Sequence, residues 1–282
     1  MTHPNAIQGW KAHLNLGFKQ ATAKTLLCHR SQSGPLTIQR PFYPEEDVCH
    51  LYLLHPPGGV VGGDELQIDV KLTENAQVLI TTPGATKFYR SGSATALGKL
   101  ARQIQSLRIA DGCALEWFPQ ENIFFENTNS QLSTCIELEK NARFMGWEIN
   151  CHGRPAAKEY FENGKVTTRL ELFRDGKPVI LDGLTVGENN ALNSPTSLNT
   201  HPCFGTFIAT QATQELLDKA RTVIETVSNE QHIGITLIDD ILVARCLGQY
   251  SEQVSTTLKL IWSALRNDIL KREACYPRIW ST

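Results

Sequence analysis

Over most of the chain the hydrophobic pattern has a period of two. From Glu65 to Leu72, Leu66, Ile68, Val70 and Leu72 point one way and Glu65, Gln67, Asp69 and Lys71 the other, as in a strand with one buried face. Leu132, Thr134, Ile136 and Leu138 share a face, as do Val166, Thr168, Leu170 and Leu172. Residues 10–30 alternate more loosely and predict two edge strands; Leu36, Thr37 and Ile38 predict a short one. Asn163-Gly164 and Asp175-Gly176 are hairpin signals. Ile233, Ile235 and Leu237 are expected to pair with Ile241 and Val243 across Asp239-Asp240. Residues 186–199 lack periodicity and read as a mobile loop. Helical spacing comes late. Leu216, Leu217, Ala220, Val223, Ile224 and Val227 make one apolar stripe behind Thr213 as N-cap; Val254, Leu258, Ile261, Trp262, Leu265 and Ile269 make another behind Ser251. Both read as core packed on a sheet.

The stretch around which the rest is organised is His50–Ser91. A short apolar run, Leu51 to Leu54, meets His55, Pro56 and Pro57, then Gly58, Gly59, Gly62 and Gly63, then Asp64 and Glu65. The prolines lack the N–H a central strand needs. The glycines admit backbone angles that other residues resist, and allow close approach of another backbone or a ligand. In an alternating strand Asp64 and Glu65 face opposite ways, Asp64 toward the buried side.

The chain also repeats itself. At an offset of 36, Asn75 matches Asp111, Leu79 matches Leu115, Pro83 matches Pro119, and Phe88 and Tyr89 match Phe124 and Phe125. At an offset of 30, Asn141 falls on Asp111 and Trp147 on Trp117. Units of strand, tight turn, strand and loop that cannot each bury a face alone suggest stacked β layers, although any β-rich chain has similar turns. The expected fold is mainly β, a stacked or helical β-sandwich with two helices toward the C-terminus, in a single domain over residues 1–282.

Composition narrows the function classes. A net charge of -2 with no basic stripe argues against nucleic acid. No stretch approaches the roughly 20 apolar residues of a membrane helix. The N-terminus lacks the apolar core of a signal peptide, so a cytoplasmic protein is expected. The eight cysteines form no CxxC pair and read as reduced, mostly structural thiols.

Enzyme motifs are missing. HPPGGVVGGDE is followed by neither Gly-Lys-Ser/Thr nor a helix pattern, so it is not a P-loop; Ser91-Gly92-Ser93 lacks the esterase elbow. The adjacent pairs Cys28-His29, Cys49-His50 and Cys151-His152 point to opposite faces on a strand. His201 and Cys203, two apart, are the better local chelate, with imidazole and thiolate suited to Ni, Cu or Zn; Pro202 weakens that reading, and a structural loop is the plainer one. Asp64, Glu65, Glu116, Glu121, Glu148 and Asp182 stand at or near loop ends of the repeated units. They could line one polar passage between layers, or be solvated charges and turn caps.

Several runs, in order along nearly the whole chain, resemble the urease accessory protein family UreD (UreH): GPLTIQRPFYPE (34–45), CHLYLLHPPGGVVGGD (49–64), TTPGATKFYRS (81–91), LEWFPQENIFFE (115–126), GWEINCHGRPA (146–156) and PRIW (277–280). Two positions depart. Phe118 stands where leucine is common, and His152 follows Cys151 where leucine is common, so His152 is not carried over as a family residue. The resemblance implies a protein that is not an enzyme. It would bind urease apoprotein and the helical partner UreF, which recruits the GTPase UreG, and the assembly would deliver nickel to the urease active site. Nickel would be in transit rather than tightly bound, and GTP would sit on UreG. The implied fold is a β-rich, helix-like stack. The implied nickel route runs along polar residues, with Asp64 and Glu65 foremost and Asp182 and Glu148 as further candidates. Without the resemblance, a β-rich enzyme or small-ligand binder using the HPPGG loop stays open.

Overall fold

The computed structural model describes residues 9–92, 96–187, 192–227 and 231–281. In chain order the strands are β1 (Lys11–Gln20), β2 (Thr25–Ser33), β3 (Thr37–Ile38), β4 (Cys49–Leu54), β5 (Glu65–Thr73), β6 (Gln77–Thr81), β7 (Thr86–Phe88), β8 (Ala101–Ile109), β9 (Ala114–Phe118), β10 (Asn122–Phe124), β11 (Asn129–Leu138), β12 (Arg143–Arg154), β13 (Glu159–Tyr160), β14 (Lys165–Arg174), β15 (Lys177–Val186), β16 (Cys203–Ala209), β17 (His232–Ile238) and β18 (Ile241–Gly248). Helix α1 spans Gln214–Ile224 and α2 spans Ser251–Leu270. Among the described residues the strands form two sheets. One runs β15-β14-β11-β8-β5-β1-β2; the other runs β17-β18-β16-β12-β9-β6-β4-β3, with β10 and β13 paired to β12 and β7 paired to β10.

The chain winds between the sheets as a helix of coils. Strand β5 in the first sheet turns into β6 in the second, passes β7, and returns to the first sheet as β8; β8, β9, β10 and β11 repeat the circuit. Each coil pairs in parallel with the one before: β5 with β8 and β8 with β11 in the first sheet, β6 with β9 and β9 with β12 in the second. The short third wall stacks Phe88 on Phe124, rings 5.0 Å apart, and Phe124 on His152 at 5.5 Å. Val60 of the Gly-rich loop bridges to Phe88, so the loop supplies the first rung of that wall. Side chains tie successive turns together. Asn141 N–H donates to Asp111 Oδ1 at 3.1 Å and Lys140 N–H to Asp175 Oδ1 at 3.0 Å.

The repeat is therefore real, with one correction. Phe88 pairs with Phe124 at the expected offset of 36, but Leu79 pairs with Glu116 and Trp117 with Gly146. The strands are slipped by one residue relative to the sequence match. A one-residue slip reverses the face, so Leu115 and Trp117 point between the sheets while Leu79 and Trp147 point toward the helices. Two other expectations change. Strand β1 is interior, paired antiparallel with β2 and parallel with β5, and only β2 is an edge. Asn163-Gly164 opens no hairpin: β14 runs parallel to β11, and Gly164 takes a φ of +121° against Thr128. Asp175-Gly176 does join an antiparallel pair, β14 and β15. Of the loop expected over 186–199, residues 188–191 lie outside the described residues.

Two apolar cores result. The first, between the sheets, contains Leu14, Leu16, Val70, Val78, Leu107 and Leu115. The second lies between the outer face of the second sheet and the helices, and contains Phe118, Trp147, Phe207, Leu258, Trp262 and Leu265. Val254, Leu258, Ile261, Trp262 and Leu265 are fully buried, so the α2 stripe is core as the spacing predicts. Thr213 caps α1 by accepting from Leu216 N–H. Ser251 is not the cap of α2. Tyr250 holds that position, its N–H donating to the Gln253 side chain at 3.2 Å, and the Ser251 hydroxyl donates to Glu121 instead.

His152 ends the third wall with its imidazole fully enclosed. Nδ1–H donates to the Pro202 carbonyl at 3.0 Å, while Nε2 is buried without a partner. Burial, opposed by the Pro202 bond, lowers its pKa from 6.5 to about 4. The folded state then binds fewer protons than the unfolded one, so stability is lost as pH falls from about 6.5 to about 4. The melting temperature should fall across that window, and His152→Leu should flatten the fall. An unchanged pH slope in that variant would assign the acid sensitivity elsewhere.

Candidate functional site

Polar side chains interrupt the core between the sheets along one line. In β8 the inward stripe is Ala101, Gln103, Gln105, Leu107 and Ile109, and both glutamines are buried. Thr134 of β11 and Thr168 of β14 continue the line across the first sheet. Facing them from the second sheet are Glu148 and Asn150 of β12 and Thr206 of β16; Glu148 and Thr206 are register partners. The Thr134 hydroxyl lies 3.1 Å from Glu148 Oε2 and 3.1 Å from Gln105 Oε1, and donates to one at a time. Asn150 Nδ2 donates to Glu148 Oε1 at 2.8 Å, and Asn122 Nδ2 donates to Asn150 Oδ1 at 3.0 Å. The Thr206 hydroxyl is buried without a partner.

Two cavities meet at this line. A small one of about 60 Å³ is lined by His55, Gln103, Gln105, Asn122, Thr134 and Glu148 among apolar neighbours. A larger one of about 720 Å³ is lined by Glu148, Thr168, Asp182, Thr206, His232 and Arg245. Glu148, Leu170 and Thr206 belong to both walls.

Burial pushes the Glu148 carboxyl above the ordinary carboxylate range, and nearby Asp182 adds to the rise; the Asn150 and Thr134 donors pull the other way. Burial likewise lowers the pKa of His55, against the pull of Asp64. A buried carboxyl with no cationic side chain on it is costly in its charged form, so it holds a proton or receives a cation. Its surroundings are hydroxyl, amide and carboxylate oxygens, donors that suit hard or borderline divalent ions and release them more readily than thiolates do.

The residues singled out in the sequence do not all converge here. Glu148 stands between the two cavities, and Asp182 lies in the wall of the larger one, its Oδ2 accepting from Arg245 Nη2 at 2.7 Å. Asp64 does point inward and Glu65 outward. Both Asp64 oxygens take backbone donors, however: Oδ1 accepts from Trp10 N–H at 2.7 Å and Oδ2 from Val61 N–H at 2.9 Å. That geometry locks the Gly-rich loop. Glu65 sits near Arg102 at the surface, 3.9 Å away. His201 and Cys203 are not brought together. The strand begins only at Cys203, after Pro202; Cys203 points to the helix-side core, and His201 lies beside His232 with ring centroids 4.8 Å apart. Gln103 and Gln105 carry a signal that strand periodicity contains: two amides inside an otherwise apolar inward stripe.

Pro56, Pro57, Gly58, Gly59, Gly62 and Gly63 form the structural loop between β4 and β5. A Cβ on Gly59 would stand 2.2 Å from the Tyr89 ring and 2.9 Å from the Lys87 carbonyl oxygen, where Val60 N–H also binds. Gly59→Val should therefore cost on the order of 1–3 kcal/mol by displacing the first rung of the third wall. A variant with wild-type urea denaturation would contradict this.

Glu116 and Glu45 belong to a separate buried network on the helix side. Arg266, fully buried, donates to Glu116 from Nε at 2.9 Å and Nη2 at 2.8 Å, and to Glu45 from Nη1 and Nη2, both at 2.7 Å. It also bonds the Glu273 carbonyl. Trp262 Nε1 donates to Glu116 Oε1 at 2.7 Å. Burial acts to raise Glu45, but His50 and Arg266 outweigh it and hold its pKa at about 2. Glu45, His50 and Cys275 bring ligand atoms within 4.8 Å of one another. Glu45 is already engaged by Arg266 and His50, which makes that cluster an ion network rather than an open cation site.

Among the described residues no helix is long and apolar enough to cross a membrane. A family model described as "UreD urease accessory protein" matches residues 11–281. The Urease accessory protein UreD of Alcanivorax borkumensis is 45% identical over 279 residues, 98% of this chain and 93% of that protein. Those of Aliivibrio fischeri strain ES114 and Klebsiella aerogenes are 42% and 40% identical, with at least 97% of each chain covered. The match runs through both sheets, the Gly-rich loop and both helices, and on it the chain belongs to the UreD urease accessory protein family.

Proposed function

We propose that the chain is a urease maturation factor rather than an enzyme. It binds urease apoprotein and, with UreF and the GTPase UreG, carries nickel toward the urease active site through the space between its two sheets. The observation that carries this reading is the position of Glu148, a buried carboxyl on the polar line between the sheets, shared by the walls of two cavities. The ion enters from the side of Asp182 and His232, exchanges with a proton at Glu148, and continues along Gln105, Gln103 and Asn122 toward His55. Asp64 keeps a part at that far end through its charge, which acts on His55; Glu65, on the outer face, is a surface or partner contact. Nickel is cargo, held weakly by oxygen ligands, and the GTP that drives the process stays on UreG. The lack of a P-loop motif agrees with that division of labour.

The test is reconstitution. Urease apoprotein incubated with UreF, UreG, GTP and nickel should gain activity only when this chain is added, and the chain should be retained on immobilised apoprotein. Equal activation without it, or no retention, would overturn the reading.

A further inference from the structure

Strands β12 and β16 run antiparallel, and Cys151 is the register partner of Cys203. His152 N–H donates to the Pro202 carbonyl at 2.8 Å. That makes 152–202 a hydrogen-bonded rung, lacking its second bond because proline has no N–H. Rungs alternate along an antiparallel ladder, so 151–203 is a non-hydrogen-bonded rung, the type in which Cα atoms come within about 4.5 Å. That separation falls inside the range a disulfide spans without backbone movement, about 4.4–6.8 Å. The two sulfurs are 2.7 Å apart, closer than unbonded sulfurs rest against each other. Both side chains point into the helix-side core and both are buried. The other buried thiol of that core, Cys246, is directed at the Gln231 side chain, and its strand register sets it opposite Gly205 rather than Cys203.

We propose that Cys151 and Cys203 are a dithiol–disulfide pair whose oxidation clamps the seam between β12 and β16. On the same seam Glu148 pairs with Thr206, three register steps from the cysteine pair, so the bond would fix the wall shared by the two cavities. The chemistry needs a two-electron oxidant, here a peroxide. One sulfur, giving up its proton, attacks a peroxide oxygen; the O–O bond breaks, leaving a sulfenic acid and one water. The second sulfur attacks the sulfenic sulfur, the S–S bond forms, the S–O bond breaks, and a second water leaves with the remaining thiol proton. Two thiols are oxidised and one peroxide is reduced. Contact with Cys151 and burial push the Cys203 thiol well above its ordinary range, so formation is slow and, once made, the bond resists exchange. This departs from the expectation that all eight cysteines are simple reduced thiols.

The experiment uses the full chain, reduced and then exposed to hydrogen peroxide, quenched, denatured, alkylated and mapped by peptide mass. The expected result is a linked Cys151–Cys203 peptide that disappears on reduction, with an upward shift in melting temperature before reduction. Cys246→Ser should retain the link and Cys203→Ser should abolish it. Full alkylation of both Cys151 and Cys203 after peroxide treatment, or either one linked to a different cysteine, would overturn the proposal. Wild-type mapping decides the matter even if the serine variant fails to fold.

Discussion

Arg266→Met should destabilise the protein by about 3–5 kcal/mol, the usual cost of removing one partner from a buried ion network. The guanidinium joins two carboxylates that are distant in sequence, 150 and 221 residues away. It ties helix α2 both to β9 through Glu116 and to the segment before β4 through Glu45. Glu116 is only 3% exposed. Without Arg266 its charge faces the indole N–H of Trp262 alone, in a core of Phe118, Trp147 and Trp262. The Met variant fills similar volume, so the loss would report charge rather than a cavity. Arg266→Met combined with Glu116→Gln should recover part of the loss, because the uncompensated anion goes with it. Urea denaturation with each variant measures the effect. A loss below about 1 kcal/mol for the single variant would mean the network is solvated in solution, in the manner of a surface ion pair.

Glu148→Gln should do the opposite to stability and do harm only to transfer. The carboxyl is raised by burial, so the folded state binds its proton more tightly than the unfolded chain does. Its contribution to stability is full at pH values below its unfolded pKa and is lost as pH rises through the folded one. Above its unfolded pKa the group therefore costs stability, and the neutral amide should melt at or above wild type. The amide still accepts from Asn150 and Thr134 but cannot exchange a proton for a divalent cation. Asp182→Asn, nearer the open side and paired with Arg245, should have a smaller effect in the same direction.

Much of the architecture is local enough to read from residues. The two-residue period gave β5, β11, β14, β17 and β18, Asp175-Gly176 gave a hairpin, and the 3.6 period gave both helices with Thr213 as a cap. The coil repeat was legible in its turns, where Asn75, Asp111 and Asn141 recur, and in the third wall, where Phe88 meets Phe124. Its strand register was not, because the turns and strands repeat at different spacings, and a one-residue difference decides which face Leu79 or Trp147 presents. The edge position given to β1 failed because its partner β5 lies more than forty residues on, a parallel pairing that no hairpin signal announces. For the site, inward-pointing Asp64 follows from alternation, but its capture by Trp10 and Val61 N–H groups requires the folded N-terminal segment. Glu148 could be named a candidate, but its place between two cavities depends on β8, β11, β14, β15 and β16 as well as its own strand. The pair of amides in β8 was within reach of periodicity alone.

Passage of nickel at Glu148 is open to measurement. The most direct test is nickel per urease active site after activation with UreF, UreG, GTP and either wild-type chain or Glu148→Gln, with retention on apoprotein measured in the same samples. The expected result is intact assembly, an unchanged or higher melting temperature, and a clear loss of nickel loading. Full nickel loading by an assembled, folded Glu148→Gln complex would contradict it.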